Sequence, residues 1–325
     1  MAELYQGKWV DSRPAAEEIG KDGRFNRAES RFRDTISSEP GAEFPAEAGR
    51  YHLWIAFVCP WAGRTLAVRA LKGLQDLIPV HVAQVGLPKE GWTFDAGPDG
   101  PESEGYPLHR LYTRHDPLAS GKVSVPVLWD SKTNRIVNNE SSEIIRILNT
   151  AFDHLTGNRL DLYPEALRPQ IDRWNDLIYP TLNNGVYRSG FATAQAAYDE
   201  AVAGVFATLD AMDAHLAANR YLAGEYCTEA DWRAFTTLVR FDVGYHGAFK
   251  CNRRRIEDYP ALRGYLRELY QWPGIAETVR LDEIRIGYYQ LADKFGIVGV
   301  GPDLDLTTPH GRDALPGRGI WERGE

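Results

Sequence analysis

The chain has 325 residues, with 43% apolar and 25% charged residues, which suits two ordinary globular domains with sizeable cores. Its 37 basic and 45 acidic residues give a net charge of −8 without a basic block, which argues against nucleic acid and an anionic membrane surface as partners. Three cysteines, Cys59, Cys227 and Cys251, are too few for a disulfide framework, and the eight histidines lack His-x-x-x-His spacing, so no metal is expected.

Residues 1–30 carry no apolar core of a signal peptide and no run reaches membrane-spanning length, so a reducing cytoplasm is expected. Residues 1–46 are polar and rich in Gly, Pro and mixed charge. They read as an extension lying over the outside of a domain, with Phe25 and Phe32 as its anchors.

Tyr51 to Val58 is aromatic and apolar enough for a buried strand. After Cys59, the positions Ala67, Ala70, Leu71 and Leu74 follow the stripe of an amphipathic helix, and Pro60 suits its first turn. Cys59 thus falls where a strand ends and a helix begins, against backbone amides and the positive end of the dipole, a setting that favours a thiolate. A free thiol is otherwise most often a small buried hydrophobe. The second cysteine of a Cys-x-x-Cys pair is absent, with Ala62 in its place, so a mixed disulfide on Cys59 needs an outside thiol to resolve it.

Ile78 to Val85 reads as a further strand. Gly86 to Gly121, rich in Gly, Pro and aromatics, reads as one long loop. Within it Trp92 is either a flat wall for a ligand or a tryptophan folded back on the core. Lys122 to Asp130 is strand-like, and Pro126 inside it calls for an edge position or an unusual bond. Arg135 to Asn138 is a short strand, and Asn138-Asn139-Glu140-Ser141 opens a helix carrying Ile144, Ile145 and Leu148. Glu140 and Ser141 in its first turn suit a carboxylate and an ammonium group, while plain capping by Asn or Ser explains the polar residues equally well.

This order of strands and helices matches the thioredoxin fold. From about residue 160 the chain is helical, with strong segments at Ala166 to Leu182, Ala194 to Ala218, Thr228 to Tyr245 and Ala261 to Tyr270. Thr228-Glu229-Ala230-Asp231 has the form of a capping box. The expected fold class is an α/β thioredoxin-like N-terminal domain followed by an all-α C-terminal domain, the glutathione transferase architecture. The expected boundaries are an extension at 1–46, a glutathione-binding domain at 47–155, a helical domain at 160–290 and a tail at 291–325.

Several stretches then carry a more specific resemblance. They are Cys59-Pro60-Trp61-Ala62, Gly91-Trp92-Thr93-Phe94, Val125-Pro126-Val127-Leu128-Trp129-Asp130 and Asn139-Glu140-Ser141. In the helical half they are Asn183-Asn184-Gly185-Val186-Tyr187, Gly190-Phe191-Ala192, Arg240-Phe241-Asp242, Tyr245, Phe249-Lys250-Cys251, Tyr288-Tyr289 and Pro309-His310-Gly311-Arg312. Through these the whole chain resembles the glutathionyl-hydroquinone reductases, the Xi class of glutathione transferases. It departs from the family pattern at Gly63, where a histidine is usual, and at Leu291-Ala292, where Ser-His commonly follows the tyrosine pair.

The resemblance implies Cys59 as nucleophile and a glutathione site of Trp92, Lys122, Val125, Glu140 and Ser141. Val125 would bond the cysteinyl part beside a cis Pro126, Glu140 and Ser141 would hold the γ-glutamyl end, and Lys122 would pair with the glycyl carboxylate. Tyr187, Tyr245 and Tyr288 would serve the aromatic substrate, with Tyr289 as the neighbour most easily confused with Tyr288. Glutathione is then a co-substrate, a glutathionyl-hydroquinone the substrate, no metal is involved, and a homodimer is expected. The rival readings are an omega-like or glutaredoxin-like thioltransferase acting on mixed disulfides or dehydroascorbate, and a non-catalytic binding module.

Overall fold

A computed structural model describes residues 3–10, 18–86, 89–292 and 295–324. The chain divides into two compact units. Arg27–Asn158 forms the first, together with residues up to Glu18; Ile19–Asn26 and Arg159–Glu325 form the second.

In the first unit a hairpin of β1 (Glu3–Tyr5) and β2 (Lys8–Val10) precedes β3 (Tyr51–Ile55), α1 (Pro60–Leu71) and β4 (Val80–Val82). A second hairpin, β5 (Thr93–Gly97) and β6 (Gly100–Pro107), leads to α2 (His109–His115). Then come β7 (Val127–Asp130), β8 (Arg135–Asn138), α3 (Ser141–Thr150) and α4 (Asp153–Thr156). The main sheet has the order β4-β3-β7-β8, with β3 parallel to β4 and antiparallel to β7, and β7 antiparallel to β8. This is the thioredoxin-like arrangement expected. Its core is apolar on both faces of the central strands: Leu53, Trp54, Ile55, Val127, Leu128 and Trp129 are all buried. A buried bidentate pair, Arg50 Nε and Nη2 on Asp130 Oδ1 and Oδ2 at 2.9 and 2.6 Å, closes the sheet where β3 begins and β7 ends.

Four expectations change in this unit. The strand before Cys59 stops at Ile55 rather than Val58, because the chain turns so that the Cys59 N–H donates to Ala56 O at 3.0 Å. Helix α1 buries Ala62 through Val68 continuously instead of one stripe, and it packs closely against α3. The stretch from Gly86 to Gly121 is not one loop but the β5–β6 hairpin and α2. Strand β6, Gly-Pro-Glu-Ser-Glu-Gly-Tyr-Pro, has no alternation of apolar residues, so its period was invisible. The turn Gly97-Pro98-Asp99-Gly100 and the cross-strand pair Phe94–Tyr106 make the hairpin, and a Cβ at Gly97 would come within 2.4 Å of the Tyr106 ring. Finally, β7 starts at Val127 and is an interior strand, so of the two readings of Pro126 the unusual bond holds: Val125–Pro126 is cis.

The second unit is helical. It contains α5 (Arg168–Ile178) continued by a π-helical turn at Tyr179–Asn183, then α6 (Gly185–Gly190) and α7 (Gln195–Leu216). Next come α8 (Glu229–Arg240), continued by a π-helical turn at Phe241–Tyr245, α9 (His246–Ala248), α10 (Pro260–Tyr270) and α11 (Leu281–Ala292). Short strands β9 (Leu160–Asp161) and β10 (Trp321–Glu322) pair antiparallel. The capping box forms as read, with Thr228 N donating to Asp231 Oδ2 at 2.8 Å. The tail is fastened through the buried Arg312, whose Nε donates to Glu268 Oε2 at 3.0 Å and whose other nitrogens reach the carbonyls of Leu216, Asn219 and Arg220.

Candidate active site

The first unit gathers its polar groups at the ends of α1 and α3. Cys59 is the N-cap of α1 in extended conformation, with Pro60 in the first turn and the Gly63 N–H donating to Cys59 O at 3.0 Å. The thiol is neither fully buried nor exposed, and Sγ donates to the carbonyl of Val125 at 3.4 Å, beside the cis bond. Two residues on, the Trp61 ring has two guanidinium groups over it, Arg64 at 4.5 Å and Arg27 at 5.0 Å. These bring positive charge to the same helix end that the dipole makes positive.

Glu140 is the N-cap of α3. Its Oε1 accepts from Ser142 N at 3.0 Å and Ser142 Oγ at 2.8 Å, and its Oε2 from Ser30 Oγ at 3.0 Å. Burial alone would push this carboxyl up, but those hydrogen bonds and the Arg64 charge outweigh it and hold the group below its usual range. Glu140 is therefore a carboxylate at neutral pH. Capping is real here, but Glu140 itself supplies it. The adjacent Ser141 is buried, and its hydroxyl accepts from Arg64 Nη1 at 3.4 Å.

The remaining expected glutathione residues sit around this centre differently. Trp92, half-buried, directly precedes β5, and its carbonyl accepts from Leu108 N at 2.7 Å. It is not folded into the core. Lys122 Nζ pairs with Glu18 Oε1 at 2.5 Å. No sequence pattern points to Arg64 or Ser30. Ser30 lies in the extension, 110 positions from the carboxylate it serves, and no local pattern could announce that contact. Phe32 is anchored nearby, its N–H donating to Asn139 Oδ1 at 3.1 Å and its ring edge-on to Tyr112.

The second unit brings Tyr187, Tyr245 and Tyr288 together. Tyr288 Oη lies 2.7 Å from Tyr187 Oη and 2.8 Å from Tyr245 Oη, so three hydroxyls from α6, the second π-helical turn and α11 meet at one point. All three rings are buried. Burial, first of all, pushes the Tyr245 and Tyr288 hydroxyls well above the ordinary phenol range, with Arg240 pulling weakly the other way. They are neutral donors at pH 7. Phe249 packs edge-on to Tyr187 and Tyr288, at 5.4 and 5.3 Å between ring centres, and Phe191 extends the wall.

Two glycines permit the close approach. A Cβ at Gly244 would stand 2.8 Å from the Tyr288 ring, and one at Gly190 would stand 2.3 Å from the Phe249 ring. The adjacent tyrosines Tyr288 and Tyr289 point to different surroundings. Tyr289 packs against Gly247 and Gly299, whereas Tyr288 enters the cluster. Among the described residues no group of three or more His, Cys, Asp or Glu side chains is placed to hold a metal ion, and no helix is long and apolar enough to cross a membrane.

Known proteins agree with this architecture. Residues 58–151 match the model of the glutathione S-transferase N-terminal domain, and residues 195–268 that of the C-terminal domain. The chain is 48% identical to the glutathionyl-hydroquinone reductase YqjG of Escherichia coli, over 96% of this chain and 99% of that protein. The glutathione-bound structure of YqjG superposes with a TM-score of 0.82 at 49% identity, covering 87% of this chain and 96% of that one. A Xi-class glutathione transferase from Natrialba magadii superposes with a TM-score of 0.86 at 44% identity, covering 98% of each chain. The chain belongs to the glutathione transferase family, in the Xi class that includes the glutathionyl-hydroquinone reductases.

Proposed function

We propose that this protein is a glutathione-dependent enzyme that reduces glutathionyl-hydroquinones to hydroquinones through a mixed disulfide on Cys59. The relatives support the reaction class: YqjG is named for this activity and has been seen with glutathione bound. The observation that carries the reading within this chain is the meeting of three tyrosine hydroxyls at Tyr288. A thioltransferase acting on ordinary disulfides needs the cysteine alone.

In this reading the γ-glutamyl end of glutathione lies at the start of α3. Three described hydrogen bonds reach the Glu140 carboxylate, which has about four lone-pair sites, leaving one for an ammonium donor. The helix N-terminus and the Ser141 hydroxyl receive the accompanying carboxylate. Val125 presents its backbone to the cysteinyl part, Trp92 packs against the tripeptide, and the glycyl carboxylate competes with Glu18 for Lys122.

The Cys59 thiolate attacks the sulfur of the thioether, forming the S–S bond as the carbon–sulfur bond breaks. The bonding pair goes to the ring carbon, which takes up a proton and leaves as hydroquinone. An aryl carbanion is a poor leaving group, and hydrogen bonds from Tyr187, Tyr245 and Tyr288 to the ring oxygens, with protonation of the ring, make departure feasible. A second glutathione thiolate then attacks the mixed disulfide, releasing oxidised glutathione and the Cys59 thiolate. The two half-reactions give ping-pong kinetics. The reading includes a cytoplasmic homodimer, which light scattering showing a monomer at micromolar concentration would reject.

The test is incubation with glutathionyl-hydroquinone and glutathione. Hydroquinone and oxidised glutathione should appear one for one. Turnover of mixed disulfides alone would favour the thioltransferase reading, and no turnover of either the binding module.

A further inference from the structure

Residues Ile19–Asn26 leave the extension and pack as part of the helical unit. They form a closed loop: Gly20 N donates to Arg24 O and Gly23 N to Gly20 O, each at 2.8 Å, and Ile19 bridges to Phe25. The loop grips the chain between α6 and α7. Thr193 N donates to Gly23 O at 3.1 Å, and Gly23, at φ +76°, sits so close that a Cβ would stand 2.6 Å from that of Ala194. Arg24 pairs with Glu200 at 2.5 Å, which also receives Arg188 of α6 at 2.9 Å. These pairs are largely exposed and hold the loop weakly. Its buried element is Phe25, 4% exposed, whose ring lies 5.1 Å from that of Phe191. Phe191 in turn lies 6.0 Å from Tyr187 and 5.2 Å from Phe249.

The rings thus run in series from the extension to the tyrosine cluster: Phe25, Phe191, Tyr187. We propose that Phe25 is a positioning residue for hydroquinone release, holding Phe191 against Tyr187 and thereby setting where the Tyr187 hydroxyl stands and how large a ring substituent the aromatic wall admits. This rests on the function proposed above. Phe25 acts on Tyr187 through Phe191, which packs against both. Its effect passes through packing, because a close-packed wall transmits the loss of one ring to the next.

The test compares the full-length wild type with Phe25→Ala and Phe25→Leu on three substrates. These are unsubstituted glutathionyl-hydroquinone, the same compound carrying two ring chlorines, and a small glutathione mixed disulfide. Phe25→Ala should lower kcat on the unsubstituted compound about tenfold, the cost of a sub-ångström misplacement of a hydrogen-bond donor. The chlorinated compound should lose less, so the ratio of the two rates shifts toward it. Disulfide reduction should stay within about twofold, and Phe25→Leu, which refills the space, should recover most of the loss. A variant that loses all three activities together, or none, or that keeps the wild-type ratio of the two hydroquinones, overturns the proposal. A wild type without hydroquinone release fails the proposed function instead, a result visible before any variant is made.

Discussion

The thiol end and the tyrosine end solve different problems. Around Cys59 and Glu140 the working groups are helix caps, half-exposed, and much of their chemistry comes from the backbone: a dipole, amide donors, a carbonyl 3.4 Å from the thiol. Around Tyr288 the working groups are side chains buried among other rings, bonded chiefly to one another. The first arrangement suits a charged tripeptide that must arrive, react and leave through water. The second suits a neutral aromatic ring, since burial keeps the Tyr245 and Tyr288 hydroxyls protonated at neutral pH. The two units thus offer contrasting environments: charge beside water in the first, apolar walls with buried hydroxyls in the second.

The comparison breaks most sharply at Cys59. Cys59→Ser should retain the fold and lose at least about a thousandfold in activity on glutathionyl-hydroquinone and on mixed disulfides alike, since the hydroxyl cannot form the S–S bond. Stopped assays on both substrates, with thermal melts as the control, check this.

The tyrosines should behave otherwise. Tyr187→Phe, Tyr245→Phe and Tyr288→Phe each delete one hydroxyl from a packed ring, which should cost on the order of 3 kcal/mol, about a hundredfold, in hydroquinone release. Reduction of a small mixed disulfide should change little. If both activities fall together, the cluster holds the fold or the glutathione site; if neither falls, the assignment of the aromatic pocket is wrong.

Glu140→Gln sharpens the other side. The amide oxygen still accepts from Ser142, so α3 keeps its cap, but the negative charge for an ammonium is lost. Apparent affinity for glutathione should weaken roughly tenfold, the scale of one charge-assisted hydrogen bond, while kcat at saturation moves less. Unchanged glutathione dependence would remove Glu140 from the site.

The smallest expected effect concerns the sheet. His52 Nδ1 and His81 Nε2 are 2.8 Å apart, and His81 stacks on Trp54 at 4.0 Å between ring centres. Burial, then the neighbouring imidazole, pushes His81 down to about 4, and burial lowers His52. A group whose pKa is lower folded than unfolded stabilises the fold above the unfolded pKa and loses that contribution as pH falls. His81 should therefore cost on the order of 1–2 kcal/mol between pH 7 and pH 5, with His52 acting in the same direction, and His81→Gln should flatten that part of the stability curve. An identical pH dependence in the variant would contradict it.

What could be read in the sequence follows the same division. The strand–Cys-Pro–helix junction, the cap at α3 and the Thr228 capping box are local patterns, and the residues that make them are neighbours in the chain. Helices with clear periodicity are likewise legible to within a few residues; the π-helical turn at Phe241–Tyr245 lies inside the expected span, and that at Tyr179–Asn183 runs one residue past it. The hairpin at 93–107 escaped because its second strand has prolines and glycines in place of alternation. The tyrosine cluster joins residues 43 to 101 positions apart, and periodicity says nothing about where three hydroxyls meet, so only the family resemblance pointed there. Ser30 is out of reach for the same reason, while Phe25 is legible as an anchor of the extension but not the ring it packs against, Phe191, 166 positions on.

The most direct test of the covalent account is the intact mass of the wild-type protein exposed to glutathionyl-hydroquinone without excess glutathione. One added glutathionyl group, located on Cys59 by peptide mapping and removed by later addition of glutathione, is the predicted result. A protein that releases hydroquinone while its mass stays unchanged would contradict it.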